Sequence, residues 1–244
     1  MILDQAERLR ELAHGARRAH VVAVTSGKGG VGKTNLAVGL ALLLGQRGRK
    51  VVLVDLSLGL GSIDFLLDIE PTHTLQDVVD AKHGLLDTLV DVADGVRVLA
   101  AGRGLTRLAN LEKEDRDRVL SELDGLSGLA DYVILDTGGG IGDNVVDFAA
   151  RSDAVILVTV PEAPAVAAAY ATLKVLKRLE MPGDVGLVVN MALSRAEAEV
   201  TARSFLDVTR AKLGMEPPFL GYVVKDPHVG ASIKRSRPFI LEYP

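Results

Sequence analysis

The sequence predicts an α/β protein: a doubly wound, mostly parallel β-sheet flanked by helices on both faces. Three observations carry that expectation. Short β-branched runs without polar alternation recur along the chain, as strands buried on both faces require. Amphipathic helical patterns separate most of these runs, which is the signature of parallel strands joined by crossovers. A glycine-rich stretch, "GKGGVGKT", follows the first run and opens the first of these helices, and in such folds ligands sit at the carboxyl ends of the strands.

The elements follow in order. Strands are expected over 20–26 (HVVAVTS), 50–56 (KVVLVDL), 95–101 (GVRVLAA), 131–137 (DYVILDT), 153–160 (DAVILVTV), 184–190 (DVGLVVN) and 219–224 (FLGYVV). Helical periodicity covers 34–47, 113–129, 142–151, 164–180 and 194–213. Ahead of the first strand, Ile2, Ala6, Leu9, Leu12, Ala13 and Ala16 share one face at three- and four-residue spacing, which predicts an amphipathic helix within 1–19. Asp4 suits its N-cap or first turn. No linker or charge block divides the rest, so 20–244 reads as one domain, and 244 residues suffice for a well-filled core.

Composition narrows the function. The chain is 48% hydrophobic and 25% charged, with a formal net charge of −4, which argues against broad affinity for nucleic acid. There are no cysteines, which rules out disulfides, thiolate-held iron–sulfur clusters and a cysteine nucleophile, and suits a reducing cytoplasm. No apolar run approaches the roughly 18 residues of a spanning helix, and the N-terminus lacks a signal peptide's apolar centre.

The segment from Gly27 to Thr34 fits G-x-x-x-x-G-K-[ST] in full and stands between a strand and a helix. The glycines Gly27, Gly29, Gly30 and Gly32 let backbone N–H groups, Val31's among them, turn onto phosphate oxygens at a helix N-terminus. Lys33 reaches the β- and γ-phosphates, the Thr34 hydroxyl takes a place on Mg²⁺, and Asn35 completes the nucleotide-contacting run. In "DYVILDTGGG" the acid at the strand end, Asp136, reads as the carboxylate that holds Mg²⁺ through water. Asp55, ending "VVLVD", joins Thr34 and Asp136 around the metal. The following "TGGGIGDN" is glycine-rich enough to sense the γ-phosphate.

A second lysine, Lys28, is not needed for the geometry of the loop. With it, "KGGVGKT" resembles the deviant Walker A motif of the MinD/ParA ATPases. The resemblance implies ATP or ADP with Mg²⁺ as cofactors and a homodimer formed with ATP, in which Lys28 reaches the partner's nucleotide. It places Asn190, at the end of "VVN", on the adenine edge, with Lys225 and Asp226 of "VVKDP" as the other wall of the base pocket. Catalysis then falls to Lys28, Lys33, Asp55 and position 57.

Within the family the absences discriminate. Nitrogenase iron proteins and cluster-carrier ATPases need cysteines, fused arsenite-pump ATPases need two phosphate loops, and polysaccharide-export kinases need a tyrosine cluster. "DQAERLREL" at 4–12 resembles the DQAxxLR element of the FlhG branch, which contacts the signal-recognition-type GTPase FlhF. "DYVILDTGGGIGDNVVDFA" and "GYVVKDPHVGASIKRSRPFILEYP" resemble the switch and the last strand and helix of that branch. The resemblance implies FlhF and flagellar basal-body or C-ring components as partners, with Asp4, Gln5, Leu9 and Arg10 as the partner surface. Alternatives are a MinD-type division-site ATPase, a ParA-like partition ATPase using the basic "KRSR" at 234–237, and a nucleotide-binding scaffold without turnover. Family members usually end in an amphipathic helix lying on the membrane; this sequence stops before one would begin. A cytoplasmic place is therefore expected, with the inner membrane face reserved for a form carrying that helix.

One departure concerns chemistry. Where the family has D-x-D after the second strand, this sequence has Asp55-Leu56-Ser57. The second Asp orients the attacking water, and a serine brings no charge. Phosphoryl transfer rests on positioning and electrostatics, so hydrolysis should slow by about 10²-fold or more while binding persists. Compensation by Asp55 or Asp64 is the alternative.

Overall fold

The computed structural model describes residues 18–57, 62–102, 111–126, 128–181 and 183–243. The expected helix within 1–19, and with it Asp4, Gln5, Leu9 and Arg10, falls in or against the stretch outside these residues. Eight strands form one sheet in the order β3-β4-β2-β5-β1-β6-β7-β8. The strands are β1 (His20–Ser26), β2 (Val51–Leu56), β3 (Val90–Ala93), β4 (Val96–Leu99), β5 (Tyr132–Gly139), β6 (Ala154–Thr159), β7 (Asp184–Ala192) and β8 (Phe219–Val224). All neighbours run parallel except β3 and β4, which form a hairpin.

Two clusters of buried side chains explain why the strands read as unbroken apolar runs. On one face Val24, Leu53, Val98, Ile134 and Val158 meet helix α1 (Lys33–Gln46) through Ala37, Val38, Ala41 and Leu42. On the other, Ala23, Val54, Leu99, Leu135, Leu157 and Leu187 meet α4 (Lys113–Asp124), α5 (Asp143–Ala150), α6 (Ala163–Arg178) and α7 (Arg195–Leu213). Successive residues of β2 alternate between these clusters, and all six are buried. The sheet is therefore wound on both faces, as its composition predicts. Among the described residues no helix is long and apolar enough to cross a membrane.

The structure differs from the sequence reading in places. Strand β3 is additional, joined to β4 by Asp94-Gly95 with Gly95 at φ 73°; Asp-Gly between β-branched residues is a hairpin signal. Three short pieces are also additional: α2 (Ser62–Leu67), α3 (Leu75–Val79) and a 3₁₀ turn over Leu85–Thr88. Helix α4 ends at Asp124, capped by Gly125, rather than running to 129. Beyond β8, α8 (Pro227–Lys234) and α9 (Phe239–Glu242) return the chain toward α1.

Strand β1 is central, between β5 and β6. The chain winds from it to β2 on one side and to β6, β7 and β8 on the other. Its carboxyl end is thus the point where strand order reverses, which is where ligands bind in open α/β sheets.

Helix α1 is held close to the β3–β4 hairpin by Gly45, where a Cβ would lie 2.4 Å from Val96 Cγ2 and 2.8 Å from the Asp94 carbonyl oxygen. Alanine is the better helix former by about 1 kcal/mol, yet overpacking here should outweigh it. Gly45→Ala is expected to destabilise the chain by about 1–3 kcal/mol in urea unfolding; a neutral or stabilising result would show that the hairpin yields freely.

Candidate nucleotide-binding site

The phosphate loop leaves β1 at Ser26 and enters α1 at Lys33. Gly27 is packed so closely on α6 that a Cβ would lie 2.1 Å from the Ala168 carbonyl oxygen. Gly30 and Gly32 have φ of 77° and 86°, a left-handed backbone that costs glycine little. No side chain caps α1 and its first turn holds no acid, so its leading N–H groups and positive end are available to an anion. Gly29, Val31, Thr34 and Asn35 complete the run; Val31 is buried, and Thr34 and Asn35 are half-buried.

Lys33 is buried and its ammonium donates to Ser26 Oγ at 3.0 Å. Ser26 Oγ in turn donates to the Lys28 carbonyl at 2.6 Å. Burial holds the Lys33 pKa below its ordinary value, while Asp136 pulls it back up. Lys28 points the other way: its Nζ lies 2.6 Å from Glu162 Oε2, and both side chains are exposed. Glu162 immediately precedes α6 and, among the described residues, is tied to the loop by this pair.

Asp55 and Asp136 are register partners on the adjacent strands β2 and β5, and both are fully buried. Asp55 is well satisfied. It accepts from the Ser57 amide at 2.9 Å, the Ser57 hydroxyl at 2.5 Å and the Ile63 amide at 3.2 Å. Neither oxygen of Asp136 has a well-formed hydrogen bond. Burial raises both pKa values. For Asp136 burial, then the Asp55 charge, pushes the value up to about 7, with Thr34 and Lys33 opposing. For Asp55 the hydrogen bonds from Ser57 and Ile63 oppose burial, and nearby Asp64 adds to it. Asp64, on α2, is also buried.

The strand carrying Asp136 continues into the loop's own packing. Thr137 Oγ1 donates to the Val24 carbonyl at 3.1 Å, and the Gly140 amide donates to the Ser26 carbonyl at 2.9 Å. A Cβ on Gly139 would lie 2.9 Å from the Gly29 nitrogen. The "TGGG" segment thus abuts the phosphate loop directly.

Asn190 is brought to the same place. Its amide donates to the Val31 carbonyl at 2.8 Å, and a Cβ on Gly32 would lie 2.3 Å from that amide nitrogen. Next to it Met191 has φ of 55°, where the pairing of β7 with β8 shifts register. Asn190 therefore braces the loop while keeping its side-chain carbonyl. The Lys225 amide donates to the Ala192 carbonyl at 2.8 Å. Asp226 is the N-cap of α8, accepting from the His228 amide at 2.8 Å and contacting its ring, which holds its pKa below the ordinary carboxylate value. Sequence reasoning missed Ser26 and Glu162. The first is legible as the hydroxyl preceding the glycine run; the second has no signal of its own, since only the fold brings residue 162 to residue 28.

Near the loop two buried carboxylates, Asp55 and Asp136, interact with each other, and Asp136 interacts with the buried ammonium of Lys33. Charges are not left uncompensated in a protein interior without cost, and a magnesium ion with its water shell would satisfy the orphaned Asp136 oxygens. Hard oxygen donors, a Thr hydroxyl and substrate phosphates are the ligands Mg²⁺ takes. The residues present fit ATP or ADP with Mg²⁺.

Residues 22–239 match the family described as the CobQ/CobB/MinD/ParA nucleotide binding domain. The chain belongs to this family. Among curated relatives it is similar to the antiactivator FleN of Pseudomonas aeruginosa, 34% identical over 92% of this chain and 80% of FleN. It is also similar to the flagellum site-determining protein YlxH of Helicobacter pylori, 29% identical over 83% of this chain and 68% of YlxH. Among solved structures, MinD of Pyrococcus horikoshii complexed with Mg-ADP aligns with a TM-score of 0.78 at 24% identity, over 93% of this chain and 89% of that one. That likeness shows the fold.

The buried pair makes a prediction about the nucleotide-free protein. With the Asp136 pKa raised from 3.8 to about 7, folding takes up a proton between those values, so stability falls as pH rises through that window. Asp136→Asn is expected to raise stability at pH 8 by on the order of 2–4 kcal/mol and by less at pH 5, while abolishing the effect of Mg²⁺ on nucleotide affinity. Chemical denaturation at the two pH values and titration of a fluorescent nucleotide check both; equal stability changes at both pH values would contradict it.

Proposed function

We propose that this protein is an ATP-dependent dimerising switch ATPase of the FlhG type, acting in the cytoplasm to control flagellar placement and number. Family membership supports ATPase chemistry in general, and the FleN and YlxH relatives support the flagellar role. The observation that carries the switch is Lys28. It stands at the rim of a complete phosphate loop, and Lys33 already supplies that loop's own ammonium. Among the described residues its side chain is engaged by the exposed pair with Glu162. Such a pair contributes about 0–1 kcal/mol, so a triphosphate on a second copy of the chain can take the lysine at little cost.

The chemistry follows from the side chains. Lys33 and the amides of Gly29 to Thr34 bind and orient the phosphates, and Thr34, Asp55 and Asp136 would hold Mg²⁺, which neutralises charge on the transferring phosphoryl group. Gly139, packed against Gly29, couples the γ-phosphate position to the "TGGG" segment and α5, the surface through which partners such as the FlhF-type GTPase or basal-body and C-ring components would read the nucleotide state. Asn190 and the segment around Lys225 and Asp226 form the base end. Asp4, Gln5, Leu9 and Arg10 are the proposed partner-activating element. A DNA-binding partition role is less supported, since Arg235 of "KRSR" is engaged by Glu242 and the net charge is negative.

Hydrolysis is slow in this reading because Ser57 is spent on Asp55. Its amide and hydroxyl both bond the same carboxylate oxygen, leaving a neutral group where a second carboxylate would orient water.

Light scattering after gel filtration should show a dimer with ATP and Mg²⁺ and a monomer with ADP. Lys28→Ala should bind nucleotide within about threefold of the unaltered chain and remain monomeric; a Lys28→Ala dimer overturns the switch. Ser57→Asp should raise the ATPase rate by about 10²-fold, and an unchanged rate removes the account of this loop.

A further inference from the structure

We propose that the groove between α4 and α5 is the docking site of this chain's own residues 1–17, the segment that precedes β1 and lies outside the described residues. The groove runs over β1 and β5 and encloses about 290 Å³, roughly twice the ~150 Å³ of a cavity that admits benzene. Its floor is apolar. Leu123 and Phe148 are buried there, while Val21 and Leu120 are only half-buried, so apolar carbon is left partly open to water. Its rim is charged, with Arg18, Asp117 and Asp124.

The occupant follows from where the chain enters. Arg18, the first described residue, is itself part of the groove's lining. Ala19, beside it, is buried in the same apolar cluster as Leu123 and Phe148. The entry point is also anchored: Asp153 accepts from the Val21 amide at 2.8 Å and stands 3.7 Å from the Arg18 guanidinium. The preceding residues therefore leave the body at the groove itself. As a helix, 17 residues span about 25 Å, against about 18 Å for the 12 residues of α4, which is length enough to follow α4 from end to end. The chemistry matches as well. Ile2, Leu9, Leu12, Ala13 and Ala16 share one face at helical spacing and suit the apolar floor. From Leu12 to Arg18 the segment holds two arginines and no acid. On the rim Asp117 is held by Arg151 at 2.8 Å, whereas Asp124 has no ion pair among the described residues and is left for Arg17. Leu9 belongs both to this docked face and to the proposed partner surface. Docking and partner capture therefore compete for it; that competition rests on the FlhG-type reading, and the docking itself does not.

The test is limited tryptic cleavage of the native full chain after Arg8 and Arg10, read by mass spectrometry, with the melting temperature of each variant. Leu9→Asp and Leu120→Asp are each expected to speed cleavage by about tenfold or more, because cleavage tracks the undocked population, and the two together should add little. Should Leu120→Asp lower the melting temperature, Asp124→Arg at the exposed rim serves instead. It should speed cleavage about threefold, and Arg17→Asp in that background should restore the slow rate. Equal cleavage in all variants overturns the docking. So does cleavage of the unaltered chain that slows over a roughly 50-fold rise in protein concentration, since the segment would then lie on a second copy. An FlhF-type GTPase should bind Asp124→Arg about threefold more tightly than the unaltered chain. Equal binding overturns the competition, and binding to neither sinks the partner reading with it while the docking stands.

Discussion

Two carboxylates facing each other across adjacent strands are what the rest of this molecule is arranged around. Asp55 and Asp136 pair in register on β2 and β5, fully buried, with Asp136 lacking good hydrogen bonds. A sheet interior does not hold such a pair for its own stability. Protonation, the donors on Asp55 and the nearby buried ammonium of Lys33 offset part of its cost, and a bound cation would offset more. The site is built to be incomplete without a cation and an anion bridging to it.

The site reaches outward through short connections. Lys33 reaches Lys28 through Ser26, and the Lys28 side chain reaches α6 through Glu162. The Asp136 strand reaches the phosphate loop again through Gly139 and Gly140. Three of the loop's glycines are fixed by different causes: a close approach to Ala168 at Gly27, and a left-handed backbone at Gly30 and Gly32. The loop's neighbours in contact are the "TGGG" segment and the Lys28–Glu162 pair.

Much of this was legible in the sequence because the relevant signals are local. Strands buried on both faces leave unbroken β-branched runs, and a phosphate loop must spell out its glycines in order. Asp55 and Asp136 announce themselves as acids closing apolar strands. What the sequence concealed depends on tertiary proximity or on short elements. Glu162 lies 134 positions from Lys28, and no periodicity links them. Strand β3 has four residues and half-exposed alternation, too little pattern to register despite its Asp-Gly turn. Asn190 is expected on the base, and the structure adds that its amide braces Val31, 159 positions away in the chain.

The most direct measurement is the melting temperature of the chain with ATP, Mg²⁺, both together, and ATP in excess EDTA. A ligand that binds the folded state stabilises by RT ln(1 + [L]/Kd), so each condition reports its own affinity. The account predicts a large rise only when nucleotide and metal are present together, because the buried carboxylates repel bare phosphates. An equal rise for ATP in EDTA would show that the acidic pair needs no cation, and the account would be wrong at its foundation.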